Sequence, residues 1–287
     1  MTRRALLLIN RHARQGQNSQ AIAQLQKLDL ELITENIEDV RFLPEIIESY
    51  QNQVDLVIIG GGDGTLNAAV DGLVTTQLPL GILPLGTAND LARTLGIPNS
   101  LSAACQIIAR GHVQHIDLGC VNGKHFFNVA SLGLSVQITQ RLTKETKRRW
   151  GVFAYAITAI EAMWRSRPFH AEIRLNGKTI QLKTIQIAIG NGRYYGGGMA
   201  IVHDAKINDQ RLDVYSLEIQ HWWQMLALLP ALRRGRHTTL SGVRAFHAQE
   251  IEVYTRKPHP INTDGEITTY TPAHFRVIPR ALAVLMP

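Results

Sequence analysis

The sequence predicts two domains: an α/β N-terminal domain on a parallel sheet, residues 1–118, and a C-terminal antiparallel β-sandwich domain, residues 119–287, with a cleft between them. Three observations predict this. Up to Gly111, short apolar runs alternate with helical apolar spacing, a βαβαβα order that needs crossover helices on a parallel sheet. Residues 54–59 are almost continuously apolar, as a strand buried on both faces requires, and run straight into Gly60-Gly61-Gly62. Beyond Ile116-Asp117-Leu118-Gly119 the segments become short and alternating, with Asn176-Gly177 a strong hairpin signal.

In order, the pattern predicts strands over 6–9, 30–34, 54–59 and 80–83, the last closed by Pro84. Helices are predicted over 19–28, 42–50 with Pro44 in the first turn, 66–73, 86–95 and 101–110. The second half predicts strands over 126–129, 171–175, 179–190, 212–217, 250–253 and 275–278, with helices near 150–164 and 222–234.

The formal net charge of +7 favours an anionic partner: nucleotide, nucleic acid or an acidic membrane surface. No zinc-finger, homeodomain or RNP pattern supports nucleic acid. Cys105 and Cys120 form no CxxC and read as free thiols of a reducing cytosol. The apolar run after Arg3-Arg4 is too short for a signal peptide, and no segment is long enough to span a bilayer. The expectation is a cytoplasmic protein with at most peripheral membrane contact. HExxH and GxSxG are absent, which argues against a His-built zinc site and a serine hydrolase.

Chemistry concentrates at Gly60-Gly61-Gly62-Asp63-Gly64-Thr65, between a buried strand and a helix. Glycines admit a ligand close to the backbone, and the open amides of a helix start bind anions. Asp63 among those donors fits metal binding, a metal-bound water or proton acceptance. The loop is neither a Walker A motif nor a dinucleotide fingerprint. Thr87 caps the next helix or donates to a phosphate, with Asn89 and Asp90 in its first turn.

Gly61-Gly62-Asp63-Gly64-Thr65 resembles the nucleotide loop shared by NAD kinases, 6-phosphofructokinases and lipid kinases of the diacylglycerol/sphingosine type. Leu85-Gly86-Thr87-Ala88-Asn89-Asp90-Leu91-Ala92 resembles a motif of the diacylglycerol kinase catalytic-domain family, bacterial lipid kinase branch, and the likeness spans nearly the whole chain. It implies ATP as phosphoryl donor, Mg²⁺, and a lipid hydroxyl as acceptor, diacylglycerol-like or phosphatidylglycerol-like. It implies nucleotide contacts by Asn10, Thr34, Gly61, Gly62, Asp63, Gly64, Thr65, Leu66, Asn67 and Thr87. Thr34 is expected to end its strand beside the glycine loop. The family's proline and serine are missing from the loop that Asn10 opens.

In the second half the resemblance implies an ion held by the Asp209 carboxylate and the carbonyls of Lys206 and Arg211, whose cationic side chains point away. Gln210 stands where the family has glycine, so the site is drawn with a strained residue in it. Thr263-Asp264-Gly265-Glu266 resembles the family's Asp-Gly-Glu, which makes Glu266 or Asp264 the base; read from residues alone it is a hairpin turn. Asp117 is a weaker candidate at the same cleft. Two readings compete with a lipid kinase: an NAD kinase, and a non-catalytic nucleotide-sensing protein of the membrane surface.

For the membrane, Arg141, Lys144, Lys147, Arg148 and Arg149 precede the apolar run 152–157. His221-Trp222-Trp223 opens a helix followed by Arg233, Arg234 and Arg236. Both stretches read as anionic-membrane contacts or as helices packed on the sandwich. The oligomeric state is not legible.

Overall fold

The computed structural model describes residues 2–10, 15–28, 30–141, 167–219 and 222–287. The N-terminal half runs β1 (Arg3–Asn10), α1 (Gln15–Leu25), β2 (Leu30–Ile37), α2 (Leu43–Ser49), β3 (Leu56–Gly61), α3 (Asp63–Thr76), β4 (Leu80–Pro84), α4 (Asp90–Thr94) and α5 (Leu101–Arg110). β2, β1, β3 and β4 pair in parallel in that order. Ala5, Leu6, Leu7, Leu8, Val57, Ile58 and Ile59 are fully buried, the two-sided burial that their unbroken apolar runs predict.

Next come β5 (Val113–Val121), β6 (Lys124–Phe126), β7 (Val129–Gly133), α6 (Leu134–Arg141), β8 (Phe169–Leu175), β9 (Lys178–Thr184), β10 (Gln186–Gly190), β11 (Tyr194–Tyr195) and β12 (Met199–Ala200). The chain ends with β13 (Leu212–Leu217), α7 (Trp222–Arg234), β14 (Val243–Ala248), β15 (Glu250–Thr255), β16 (Pro260–Thr263), β17 (Glu266–Tyr270) and β18 (Ala273–Leu285). An antiparallel sheet of order β14-β13-β10-β7-β16-β17 covers a second core built with β8, β15 and β18. Its other face carries α6 and α7, through Leu134, Ile138, Leu228 and Leu232.

The two halves share one sheet, which the sequence pattern does not foretell. β18 is thirteen residues long. Phe275 and Val277 lie in the second core; Ala281, Leu282, Val284 and Leu285 lie in the first. Between them the pairing with β5 shifts register, and Arg280 has φ 51°. Such a bulge re-aims a strand, so β18 leaves the sandwich and joins β4 in parallel at Val284↔Leu80.

Several expected boundaries move. β2 continues to Ile37, past the predicted stop at Thr34, because it stays paired with β1 along its whole length. The predicted strand 179–190 is two strands meeting at Ile185, and 126–129 is broken at Phe127-Asn128. The helix predicted from Gly86 starts at Asp90. The expected helix near 150–164 lies outside the described residues.

His237, one residue past Arg236, is fully buried with its ring edge against Tyr215, centroids 4.7 Å apart. Burial pushes its pKa down to about 4, and among the described residues neither ring nitrogen has a hydrogen-bond partner. A depressed folded pKa contributes stability above the unfolded value of 6.5, lost as pH falls toward 4. The gap corresponds to roughly 3 kcal/mol over the full window. We predict that His237→Leu flattens this acid loss: urea melts at pH 7 and pH 4 should differ less in the variant than in wild type.

Candidate active site

β3 enters α3 through one extended residue, Gly62, with φ −102° and ψ −175°. The Gly62 carbonyl accepts from the amides of Thr65 and Leu66, and the amides of Asp63 and Gly64 stand at the open start of the helix. Nothing lies within 4 Å of a side-chain position at Gly64, so the backbone is approachable there. The second loop meets the first closely: a Cβ on Gly86 would come within 2.4 Å of the Gly62 Cα. Leu85 N donates to Gly61 O at 3.0 Å.

Asn89 holds that second loop. It is left-handed, φ 52°, and its Nδ2 donates to the carbonyls of Pro84 and Gly86 and to Asn99 Oδ1. It precedes α4 in a non-capping conformation, and Thr87 lies exposed on the crest of the loop. Thr87 therefore caps no helix, correcting the expected start at Gly86. The α4 amide that needs a partner, Leu91 N, donates to Asp63 Oδ1 at 3.0 Å. Asp63 thus starts one helix and caps another. Among the described residues, buried Asn89 Oδ1 and Asn67 Oδ1 have no hydrogen-bond partner, leaving two acceptors for the donors of a ligand such as hydroxyls or ordered water.

The register places the earlier candidates. Thr34 and Ile58 both pair with Leu7, so Thr34 is level with Ile58, two residues short of Gly60. That is about 7 Å below the loop, on an exposed edge, and not the strand end expected. Asn10 follows Ile9, the partner of Gly60, which brings its backbone level with Gly61; its side chain lies outside the described residues.

The second half closes on this site through α4. Buried Asp90 binds Arg93 at 2.6 Å through Oδ1 and accepts from Gly197 N at 2.7 Å through Oδ2. Thr94 Oγ1 donates to Asn128 Oδ1 and accepts from Tyr194 N. Burial raises the Asp90 carboxyl, the Gly197 amide opposes this, and the charge of Asp63 adds to the rise.

Asp264 and Gly265, φ 49° and 101°, form the two-residue turn between β16 and β17. The Asp264 carboxylate accepts three successive amides: Phe127 N at 2.6 Å, Asn128 N at 3.0 Å and Val129 N at 2.9 Å. Burial pushes its pKa up to about 6; the three amides pull it down and the charge of Asp63 raises it. The charge of Asp63 thus bears on both Asp90 and Asp264. Glu266, two residues on, is exposed, so the turn does not put both acids on one face.

Asp117 is an anchor. It is 2% exposed, and its oxygens accept from Gln210 N and Arg280 N, both at 2.7 Å. Both donors have positive φ, 59° and 51°. Gln210 thus adopts the left-handed conformation that a glycine would hold more cheaply. Arg211 does not point away: its Nε lies 3.2 Å from Asp209 and 3.3 Å from Asp213, and its Nη2 3.7 Å from Asp204. Burial still pushes Asp213 up to about 6 and raises Asp209, with neighbouring acids adding to both. One guanidinium leaves this acid cluster under-neutralised, which fits an added cation. Among the described residues no three His, Cys, Asp or Glu side chains converge on one point, so an ion here needs backbone carbonyls too. Lys206 is exposed at the start of this loop.

Thr94, Asn128, Asn191 and Asp90 join the halves, a role with little signal in the sequence. Asn191 Nδ2 donates to the carbonyls of Asp117 and Phe127. The only signal for them was the placing of Asp90 in a motif and of Asn191 at the head of a glycine cluster.

Fold and site define a two-domain kinase with a glycine–aspartate loop facing a sandwich. Comparison with known proteins agrees. Residues 4–121 match the diacylglycerol kinase catalytic domain, and residues 128–286 match the YegS C-terminal NAD kinase beta sandwich-like domain. A diacylglycerol kinase of Bacillus subtilis strain 168 is 30% identical over 243 residues, 84% of this chain and 80% of the relative. One from Staphylococcus aureus strain Newman is 29% identical over 272 residues, 93% and 86%. A crystal structure of a diacylglycerol kinase from Bacillus anthracis strain Sterne superposes with TM-score 0.77 at 21% identity, covering 99% of this chain and 97% of that one, a likeness of fold. The chain belongs to the diacylglycerol kinase family, and it is a kinase of the lipid-kinase type.

The contact of Gly62 with Gly86 generates a prediction. A methyl on Gly86 meets backbone, which cannot swing aside, and overpacking of that kind costs about 1–3 kcal/mol. Gly86→Ala should lower the melting temperature and weaken nucleotide binding together. Gly64→Ala, placed in open space, should leave the melting temperature nearly unchanged.

Proposed function

We propose that this chain transfers the γ-phosphoryl group of ATP to the hydroxyl of a lipid, diacylglycerol-like or phosphatidylglycerol-like, at the cytoplasmic face of a membrane. The observation that carries the reading is the open start of α3, where the amides of Asp63 and Gly64 follow the extended Gly62 and the second loop touches the first at Gly86. Phosphoryl transfer needs positioning and charge neutralisation more than covalent chemistry. The amides of Asp63 and Gly64 would receive phosphate oxygens, supported by Gly61, Gly62, Thr65, Leu66 and Asn67. Thr87, exposed above the same loops, would donate its hydroxyl. Asn10 is level with the loop, whereas Thr34 is too far down its strand for more than a contact with the distal part of the nucleotide.

Glu266 is the better base. A base must have a free lone pair for the acceptor proton. Asp264 already accepts three amides and holds the backbone in place, so it is a positioning residue; Glu266 is exposed at the same turn. Glu266 would take the hydroxyl proton as the lipid oxygen attacks the γ-phosphorus and the bond to the β-phosphate oxygen breaks.

For Mg²⁺, the donor set that fits is the Asp209 carboxylate with the carbonyls of Lys206 and Arg211, all hard oxygens. When bound, the ion would supply positive charge to the cluster of Asp117, Asp204, Asp209 and Asp213. We assign nucleotide binding to residues 1–118 and acceptor positioning to 119–287, with the last residues of β18 returning to the first domain. Among the described residues no helix is long and apolar enough to cross a membrane, so the lipid would be met at the surface.

Three variants test the roles. Asp63→Asn should cut turnover about 10²-fold or more with the fold intact. Glu266→Gln should lose kcat while ATP affinity stays. Asp264→Asn should lose stability as well as kcat, because an amide cannot accept all three N–H groups in the same way. Full turnover in folded Glu266→Gln removes it as the base. NAD as the preferred acceptor, or no turnover with any lipid, would replace the lipid-kinase reading with the NAD kinase or the nucleotide sensor.

A further inference from the structure

The cleft is acidic although the chain is basic overall, so the positive charge must gather elsewhere. Arg193, Arg233, Arg234 and Arg236 line one shallow groove of about 390 Å³ with Tyr194 and Ala200. The groove is assembled from two separate elements, the β11–β12 hairpin and the end of α7. Leu228 and Leu232 are buried under α7 and fix that end in place. Arg233, Arg234 and Arg236 are exposed, and Arg193 Nε is buried with no hydrogen-bond acceptor. Among the described residues no carboxylate pairs with any of the four.

A helix C-terminus favours basic residues, which by itself accounts for Arg233 and Arg234. It does not account for Arg193 and Arg236, which come from outside the helix and add like charge to the same groove. Four unpaired guanidinium groups facing one space call for an anion, and guanidinium suits phosphate oxygens. The groove offers no platform for a nucleotide base. The Tyr194 ring already carries Arg93 at 5.7 Å and Arg193 at 5.3 Å, and the remaining apolar lining is Ala200.

We propose that this groove docks the protein on the phosphate headgroups of an anionic bilayer. The inference rests on the lipid-acceptor reading above and adds where the membrane is met. Tyr194 N is bonded to Thr94 at the end of α4, and Asp63 caps the start of that five-residue helix. Tyr194, which lines the groove, is thus joined to the glycine–aspartate loop through a helix about 8 Å long, and docking at the groove would hold that loop near the lipid surface.

The test uses the full chain and a Arg233→Gln/Arg234→Gln/Arg236→Gln variant, in sedimentation with phosphatidylcholine vesicles and with vesicles containing phosphatidylglycerol. Wild type should bind the anionic vesicles only, less as salt rises. At about 1 kcal/mol per basic residue near an anionic leaflet, a factor of about five each, the variant should bind roughly 10²-fold more weakly. Its turnover of a lipid acceptor in neutral detergent micelles should match wild type. Equal binding of both proteins to anionic vesicles overturns the proposal. So does displacement of wild type by millimolar inorganic phosphate in the absence of any difference between vesicle types, which marks a soluble-anion site. Loss of micellar turnover in wild type, with vesicle binding still sensitive to the three arginines, sinks the kinase reading and leaves the docking surface standing.

Discussion

Everything at the cleft depends on one half-buried carboxylate. Asp264 gathers the amides of Phe127, Asn128 and Val129, the three residues that carry the chain from the shared sheet into the sandwich. Hydrogen bonds to an ionised group contribute about 1.5–3 kcal/mol each, set against the cost of burying the charge. Burial raises its pKa to about 6, with the charge of Asp63 adding to the rise, and the three amides offset only part of it. The turn with positive φ at Asp264 and Gly265 is what aims the carboxylate inward and leaves Glu266 outside.

The same device recurs at the junction between the halves. Asp117 binds the amides of Gln210 and Arg280, two residues whose left-handed backbone is uncommon for side-chain-bearing residues. One amide belongs to the acidic loop and the other to the bulge of β18. A single carboxylate thus ties that loop to the point where the last strand changes core. Because β5 and β18 run through both cores, the cleft walls are joined by continuous strands as well as by the contacts of α4 with Gly197, Tyr194 and Asn128. Movement between the halves would have to be absorbed at these polar contacts, since the strands are close-packed.

Charge is distributed to match. Acids converge on the cleft and on the Asp209 loop, where cations bound with a nucleotide would be welcome. Arginines that pair with no carboxylate among the described residues gather on the sandwich side, around Tyr194. The net charge of +7 is therefore less informative than its separation: a basic face for anions beside an acidic cleft.

The sequence by itself determined the parallel sheet, the strand–glycine–helix passage at Gly60 to Asp63 and the hairpin at Asn176-Gly177, because each rests on local signals: period, burial on both faces and positive-φ turns. It also marked Asp63, Asp264 and Asp209 as acids worth watching, through short motifs. Only the tertiary structure decided what those acids do. That Asp264 is spent on three amides follows from residues about 135 positions away. That Arg211 turns into the acids follows from the packing of Asp204, Asp209 and Asp213 around it. Thr34 lost its place at a strand end because pairing with β1 extends β2, and Thr87 lost its cap because Asn89 adopts a left-handed turn. The shared sheet was invisible for the same reason: only a strand over 275–278 was legible, and the register shift beyond it, where Asp117 accepts from Arg280 N, depends on a residue more than 160 positions away. Local rules set which elements form; contacts between residues distant in sequence set which oxygen atoms remain free for chemistry.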